Sequence, residues 1–162
     1  ITPGMARSYG CSGPVIRGCG IEYDIRKVAP YAAYEEFDFD IPTFPYGDAM
    51  SRHMVRVEEM RQSCRILQQA IARLPDGPVR AEKVPRVIKP PPGEVYHRVE
   101  SPRGELGCYI MSDGSDKPYR LHWRGPSYYN LQAFREMVKG HLVADVVAIL
   151  ASIDIVLADI DR

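Results

Sequence analysis

The hydrophobic pattern is strongest in two places, the middle of the chain and its end. After Gly47-Asp48, apolar residues recur at Met50, Met54, Val57, Met60, Cys64, Leu67, Ile71 and Leu74, in steps of three and four. This spacing predicts one long amphipathic helix, capped by Asp48 and stopped by Pro75 and Gly77. At 1.5 Å per residue it would run about 40 Å, long enough to act as a spine. Its apolar stripe should face a core. The opposite face, with Arg52, Arg56, Glu59, Arg61, Gln62 and Arg65, should be a solvated face with helix ion pairs or a seat for an acidic partner. His53 has no H-x-x-x-H companion and is expected to pack, not to ligate.

From Leu142 to Ile153 only Asp145 and Ser152 are polar. A helix with no wet side belongs inside a larger body, and this one is too short to cross a bilayer, which takes about 20 apolar residues. At its exit Asp154, Asp159, Asp161 and Arg162 follow in quick succession. Charges set against a buried helix end are costly unless paired or turned to a polar cavity, so a site or a subunit contact is expected there.

Between these two stretches lie shorter patterns. Residues 76–93 are rich in proline and charge and read as an extended connector. Val95–Glu100, Leu106–Ser112 and Pro118–Trp123 suit strands, and the turns Ser101-Pro102-Arg103-Gly104 and Asp113-Gly114-Ser115 would join them into an antiparallel meander. In its last strand Arg120, His122 and Arg124 share a face, as a docking edge or a solvated row. Tyr128 to Val138 reads as a mixed helix. Near the start, Asp24 should cap a short helix, and Phe37–Ile41 alternates with the period of a half-buried strand. Helices, then a meander, then helices imply an α+β fold, mostly helical. The segments 1–75, 76–93, 94–124 and 126–162 are its natural divisions.

Composition narrows the function classes. The 162 residues contain 21 basic and 21 acidic side chains, so no net field favours nucleic acid or anionic lipid. Cys11, Cys19, Cys64 and Cys108 form no C-x-x-C pair and read as reduced, packed thiols, the usage of a reducing compartment. Five glycines between Gly4 and Gly20 match neither phosphate-loop spacing, so a tight structural loop is expected there. Arg17 within it could clamp a carboxylate bidentately. Glu35, Glu36, Asp38 and Asp40 carry no legible acid–base pair, and no nucleophile–base arrangement is present. The chain opens on Ile1 without the character of a start, and a piece of a longer polypeptide is expected.

Four segments, in order, resemble one family. They are SGPVIRGCGIEYDIRKVAPYAAYEEFDFDIP, GDAMSRHMVRVEEMRQSCRI, VESPRGELGCYIMSDGSDKPYR and GHLVADVVAILASIDIVLADIDR. Together they resemble the C-terminal part of the D-type, or 49 kDa-type, subunit of the proton-pumping NADH:quinone oxidoreductase, respiratory complex I. That family is akin to the large subunit of nickel–iron hydrogenases, which implies a hydrogenase-like fold. The hydrogenase terminal motif D-P-C-x-x-C, aligned on Asp154, places Val156 and Asp159 where two cysteines would stand. A soft metal needs thiolates there, and valine supplies none.

The resemblance therefore implies an unmetallated cavity that receives a quinone head-group, with Asp154, Val156, Asp159 and Arg162 at its edge. Arg17 and Asp145 are expected in structural or interface roles. The family's usual Glu is the shorter Asp159 here. The resemblance further implies that this chain binds no cofactor. FMN, NADH and the iron–sulfur clusters would lie in partner subunits, one carrying the terminal cluster and one lying beneath in the membrane. Quinone reduction would be coupled to proton translocation at the cytoplasmic side of a bacterial plasma membrane, or the matrix side in mitochondria. The alternatives are a structural segment without quinone contact, and a membrane-bound hydrogenase relative with metal chemistry. The segment alone is expected to be inactive.

Overall fold

A computed structural model describes residues 1–161. Arg162, expected at the terminal site, lies outside the described residues. The order is α1 Pro3–Ser8, α2 Pro14–Arg17, α3 Ile25–Val28, a 3₁₀ turn Tyr34–Glu36, α4 Ala49–Ala72, β1 Gly93–Ser101, β2 Gly104–Ser112, β3 Arg120–Arg124, α5 Pro126–Gln132, α6 Phe134–Met137, α7 Asp145–Ile153 and α8 Leu157–Ile160. The strands form one antiparallel sheet in the order β1-β2-β3. The architecture is α+β, helical around a small meander. Among the described residues no helix is long and apolar enough to cross a membrane.

The glycine-rich start is where the core lies. Ala6, Cys11, Val15, Ile16 and Cys19 pack against Ala133, Met137, Ile149 and Ile153. The expected loop is instead two short helices, each opened by a proline in the first turn, where the missing N–H costs nothing. Thr2 caps the first, accepting the Met5 N–H at 3.3 Å. Gly13, at φ 65°, turns into the second. Asn130, buried on α5, fastens this region to the hairpin: its Oδ1 accepts the Ser12 N–H and its Nδ2 donates to the Arg103 carbonyl, both at 3.1 Å.

The long helix forms where the pattern put it, with Asp48 accepting the Ser51 N–H at 2.7 Å. Its orientation is the reverse of the expected one. Ser51, Arg52 and Val55 are buried, whereas Met60, Leu67 and Ile71 are 61%, 59% and 75% exposed. The cause lies in the partners available to each face. Arg52 donates to the Ser152 hydroxyl and the Gly47 carbonyl, Arg56 to the Ser152 carbonyl, and Glu59 meets Arg17. Farther along, Gln62, Gln69 and Arg65 hold the segment Phe37–Ile41.

That segment keeps the predicted alternation, with Phe39 buried and Asp38 and Asp40 exposed, but it is not a strand. The N–H groups of Asp38 and Asp40 donate to the side chains of Gln69 and Gln62, at 2.9 and 3.0 Å. Gln69 Nε2 returns a bond to the Asp38 carbonyl at 2.7 Å. Helix side chains thus take the place of a β ladder. Arg65 pairs with both aspartates, so the acidic partner of this face is a segment of the same chain.

The sheet repeats the inversion. Val95, Ile110 and Leu121 lie side by side across the strands, and Val95 and Leu121 are 58% and 47% exposed. The paired Glu100 and Glu105 point inward. In the expected basic row, Arg120 and His122 are exposed but Arg124 is not. It donates to the carbonyls of Glu105 and Gly10, at 2.9 and 3.0 Å, over the Tyr129 ring. The terminal helix is shorter than its apolar run and is wet on one side: Val147, Ala148 and Ala151 are exposed, as are Leu142 and Val143 ahead of its first turn. The expected helix 128–138 is two helices, broken at Ala133 and beginning earlier, at Pro126.

The thiols differ sharply in setting. Burial pushes the Cys11 thiol up to about 12, with the Cys19 thiol beside it adding to the shift, while Cys64 is exposed on α4. A thiol reagent at neutral pH should modify Cys64 first and reach Cys11 only on unfolding. Mass mapping of the labelled peptides checks this order.

Candidate functional site

The inward-facing charges meet around Arg17. As the last residue of α2, about 1% exposed, it is carried into the interior between α3, α4 and β1. Its Nη1 donates to the Tyr23 carbonyl at 2.8 Å and to Glu100 Oε1 at 2.9 Å, and lies 3.5 Å from Asp24 Oδ2. Its Nε lies 2.6 Å from Glu59 Oε1. The bidentate clamp expected of this arginine is thus a multiple one, closing on carboxylates from three different elements.

Each neighbour is positioned by local chemistry. Asp24 caps α3 through the Arg26 N–H and binds the Arg26 guanidinium at 2.9 and 2.6 Å. Burial alone would raise the Asp24 carboxyl, but the Arg26 hydrogen bonds and charge outweigh it and hold the group below its ordinary value. Glu59 and Glu100 move the other way: burial raises both, against the pull of Arg17. Burial also lowers the guanidinium of Arg56.

The pH dependence follows from these directions. Asp24 adds stability that is complete above its unfolded value of 3.8 and is lost as pH falls through its lowered folded value. Glu59 and Glu100 hold their protons more tightly when folded, so their contribution declines as pH rises from the unfolded value of 4.5 through the raised folded ones. Stability should therefore fall on both sides. Glu59→Gln should flatten the decline that accompanies rising pH, read as the urea midpoint against pH.

Against this cluster opens a cavity of ≈ 510 Å³, lined by Arg17, Arg26, His53, Arg56, Glu59, Glu100, Asp154 and the apolar Val57, Met60 and Pro102, among others. Asp154 reaches it because the chain turns into the left-handed region there, at φ 58° and ψ 54°, closing α7 as a helix C-cap. Arg103 holds it, with Nε 3.0 Å from the Asp154 carbonyl and Nη2 3.3 Å from the carboxylate.

The expected terminal residues do not share one hollow. Asp154 faces the large cavity together with Arg17. Asp159 faces a hollow of ≈ 270 Å³ with His122, Trp123, Tyr128 and Tyr129. Its carboxylate caps α5, accepting the Ser127 N–H at 2.7 Å. Gly125 permits that approach, since a Cβ there would stand 2.3 Å from the Asp159 carbonyl oxygen. Val156, between them in sequence, lines neither hollow; it is about 36% exposed, with its N–H toward the Ser127 hydroxyl at 3.3 Å. Asp145 accepts the Leu142 N–H at 3.1 Å and borders a third hollow, beside Arg52.

His53, expected to pack, is exposed and borders the large cavity. Sequence reasoning misses Glu59, Glu100 and Asp24 as members of a site. Arg56 and Glu59, three apart on α4, are visible as one polar face. Nothing local joins them to Glu100.

Comparison with known proteins follows the same span. The family described as respiratory-chain NADH dehydrogenase, 49 kDa subunit, matches residues 1–90 and 82–162, the two stretches meeting in the proline-rich connector. A protein of Solibacter usitatus, named as a D-type subunit of NADH-quinone oxidoreductase, is 53% identical over 96% of this chain and 42% of its own length. The D-type subunits of the same name from Symbiobacterium thermophilum and Syntrophobacter fumaroxidans are each 51% identical over 100% of this chain and 43% of theirs. The chain thus spans less than half the length of the curated relatives it matches. Matched from Ile1 to Arg162, with a charged interior under two outward apolar faces, the chain belongs to the family of the 49 kDa subunit of the respiratory-chain NADH dehydrogenase.

Proposed function

We propose that this chain forms part of the quinone-reducing site of an NADH:quinone oxidoreductase, with Asp154, Val156, Asp159 and Arg162 at the pocket edge. The observation that carries the reading is the family match running through the terminal Asp154-Ile155-Val156…Asp159 segment, whose two acids border separate hollows and whose valine, between them in sequence, is partly exposed. A quinone head needs an apolar wall and a few hydrogen-bonding groups at its oxygens, and valine beside acids and arginines is such a set. Electrons reach the quinone from a neighbouring subunit's iron–sulfur cluster, and its reduction is coupled to proton translocation. NADH, FMN and the clusters belong to partner subunits, and a membrane subunit lies beneath. The complex is peripheral to the cytoplasmic face of a bacterial plasma membrane, or to the matrix face in mitochondria. The hydrogenase kinship belongs to the same proposal: a terminus that once held metal through cysteines now carries Val156 and Asp159.

The outward apolar faces of α4 and of the sheet support a place inside a larger body. A stripe carrying Met60, Leu67, Ile71 and Leu74 would otherwise leave an extended apolar patch in water.

A second reading has its own support. Asp159 is engaged in capping α5 and Asp154 in pairing with Arg103, so both acids already hold structural contacts. In that reading the terminus secures the fold and the assembly and never meets quinone. Asp154→Asn and Asp159→Asn in the assembled enzyme separate the two. The quinone reading expects a loss of quinone reduction of about tenfold or more while NADH oxidation by artificial acceptors is spared. A structural role expects less complex in the membrane, with normal turnover in what assembles.

A further inference from the structure

In an antiparallel pair the ladder bonds fall on alternate residue pairs, and the residues between them turn their N–H and C=O groups to the far side. Three contacts fix the alternation in the β1–β2 hairpin. The Glu100 N–H points away from β2 and donates to the Tyr31 hydroxyl at 3.2 Å. Its cross-strand partner Glu105 points its N–H away from β1, to the Ser12 hydroxyl at 3.0 Å. The Met111 carbonyl, opposite Glu94, accepts the Tyr119 N–H at 2.9 Å. Counting in twos from Glu100, the main-chain groups of Arg98, Tyr96 and Glu94 face outward, and those of Val99, His97 and Val95 face β2.

Tyr31 and α3 cover only the Glu100 end of this edge. Among the described residues nothing bonds to the outward main-chain groups of Glu94, Tyr96 or Arg98, and residues 93–97 are exposed. The other edge of the sheet is blunted, since β3 is five residues long and lies between Pro118 and Pro126. β1 runs for nine residues without a proline. An open edge of this kind is a template for a further strand.

The two faces of β1 state the chemistry of that strand. On one face the row Val95, Ile110 and Leu121 ends at the edge with Val95 58% exposed, and an apolar residue beside Val95 would extend and cover it. On the other face Glu94, Tyr96 and Arg98 call for polar neighbours. The source follows from length. Relatives 51% and 53% identical to this chain carry more than half of their own length outside the matched span. A strand tethered within one polypeptide pairs at a high effective concentration.

We propose that the outer edge of β1, from Glu94 to Arg98, takes up a fourth strand, an extended segment of alternating apolar and polar residues. It is supplied by the portion of the family's polypeptide that these residues do not span. The pairing is independent of the quinone reading, and neither stands or falls with the other.

Residue-resolved hydrogen exchange in the assembled complex tests the pairing. The amides of Val95, His97 and Val99 are protected by β2 in any case and serve as the internal standard. With a fourth strand in place, those of Glu94, Tyr96 and Arg98 should slow by on the order of 10²-fold relative to open chain, approaching the standard. Exchange of these three at the open-chain rate, with Val95 and His97 protected, would overturn the proposal. The source is tested in the same complex with photoreactive benzoylphenylalanine in place of Glu94, an exposed edge position. The cross-linked peptide is expected to come from the same subunit, outside the 162 residues. An adduct in another subunit or in a second copy, or none within the same subunit, would overturn the assignment to this polypeptide.

Discussion

Arg17→Met should be the most damaging single change to a side chain, lowering the stability of the folded chain by about 3–5 kcal/mol, the cost of breaking a buried ion pair from one side. Methionine fills much of the space but removes the charge and, with it, the donors to Glu100 and to the Tyr23 carbonyl. Glu100, whose side chain is about 4% exposed, and Glu59 would then remain buried without their cation. The loss should shrink at acidic pH, where both glutamates are protonated, and grow as pH rises. Arg17→Lys should recover little. One ammonium cannot reach Glu59 from the position of Nε and at the same time Glu100 and the Tyr23 carbonyl from that of Nη1. Urea midpoints at two pH values measure both effects. An Arg17→Met protein as stable as the parent would mean that the cluster does not organise the interior.

Gly13→Ala should prevent normal folding. Gly13 sits at φ 65°, where a Cβ costs about 1–2 kcal/mol on its own. The larger obstacle is the hairpin turn lying against it. A Cβ at Gly13 would fall 2.4 Å from the Arg103 carbonyl oxygen and 2.7 Å from Gly104 Cα. Both are backbone atoms and neither can swing away. Gly104 faces back with the same tightness, its own Cβ position 2.4 Å from Ser12 Oγ. The two glycines are the place where the N-terminal helices and the hairpin touch main chain to main chain. The expected total exceeds about 4 kcal/mol, the range of the severest single substitutions. Gly4→Ala, where a Cβ would meet nothing within 4 Å, is the control and should fold normally. Soluble yield and far-ultraviolet circular dichroism of the two variants make the comparison.

How much of this is legible in the residues alone differs from element to element. The long helix and its Asp48 cap are readable, because cap and period are local signals. The meander is readable for the same reason, through its turns. Which side of each faces inward is not. The periodicity of Met50 to Leu74 marks an apolar stripe but cannot say whether the partner of that stripe is among these residues, and here the charged side found Arg17, Ser152 and the Phe37–Ile41 segment first. The glycine-rich start looks like a loop because glycine density masks two proline-opened helices. The signals are present, in Thr2-Pro3 and Gly13-Pro14.

Of the terminal residues, Asp154 does meet Arg17 at one cavity, a proximity between distant parts of the chain that no spacing rule reaches. The separation of Asp159 from it is equally hidden, since it depends on Asp159 capping a helix that begins near Gly125.

Photolabelling of the assembled complex with an azido-quinone, followed by peptide mapping, addresses the central claim most directly. Labelled residues are expected in the terminal segment from Asp154 to Arg162, protected by excess unmodified quinone. Labelling confined to other subunits, with this segment unmodified at full occupancy, would contradict a quinone pocket at this terminus.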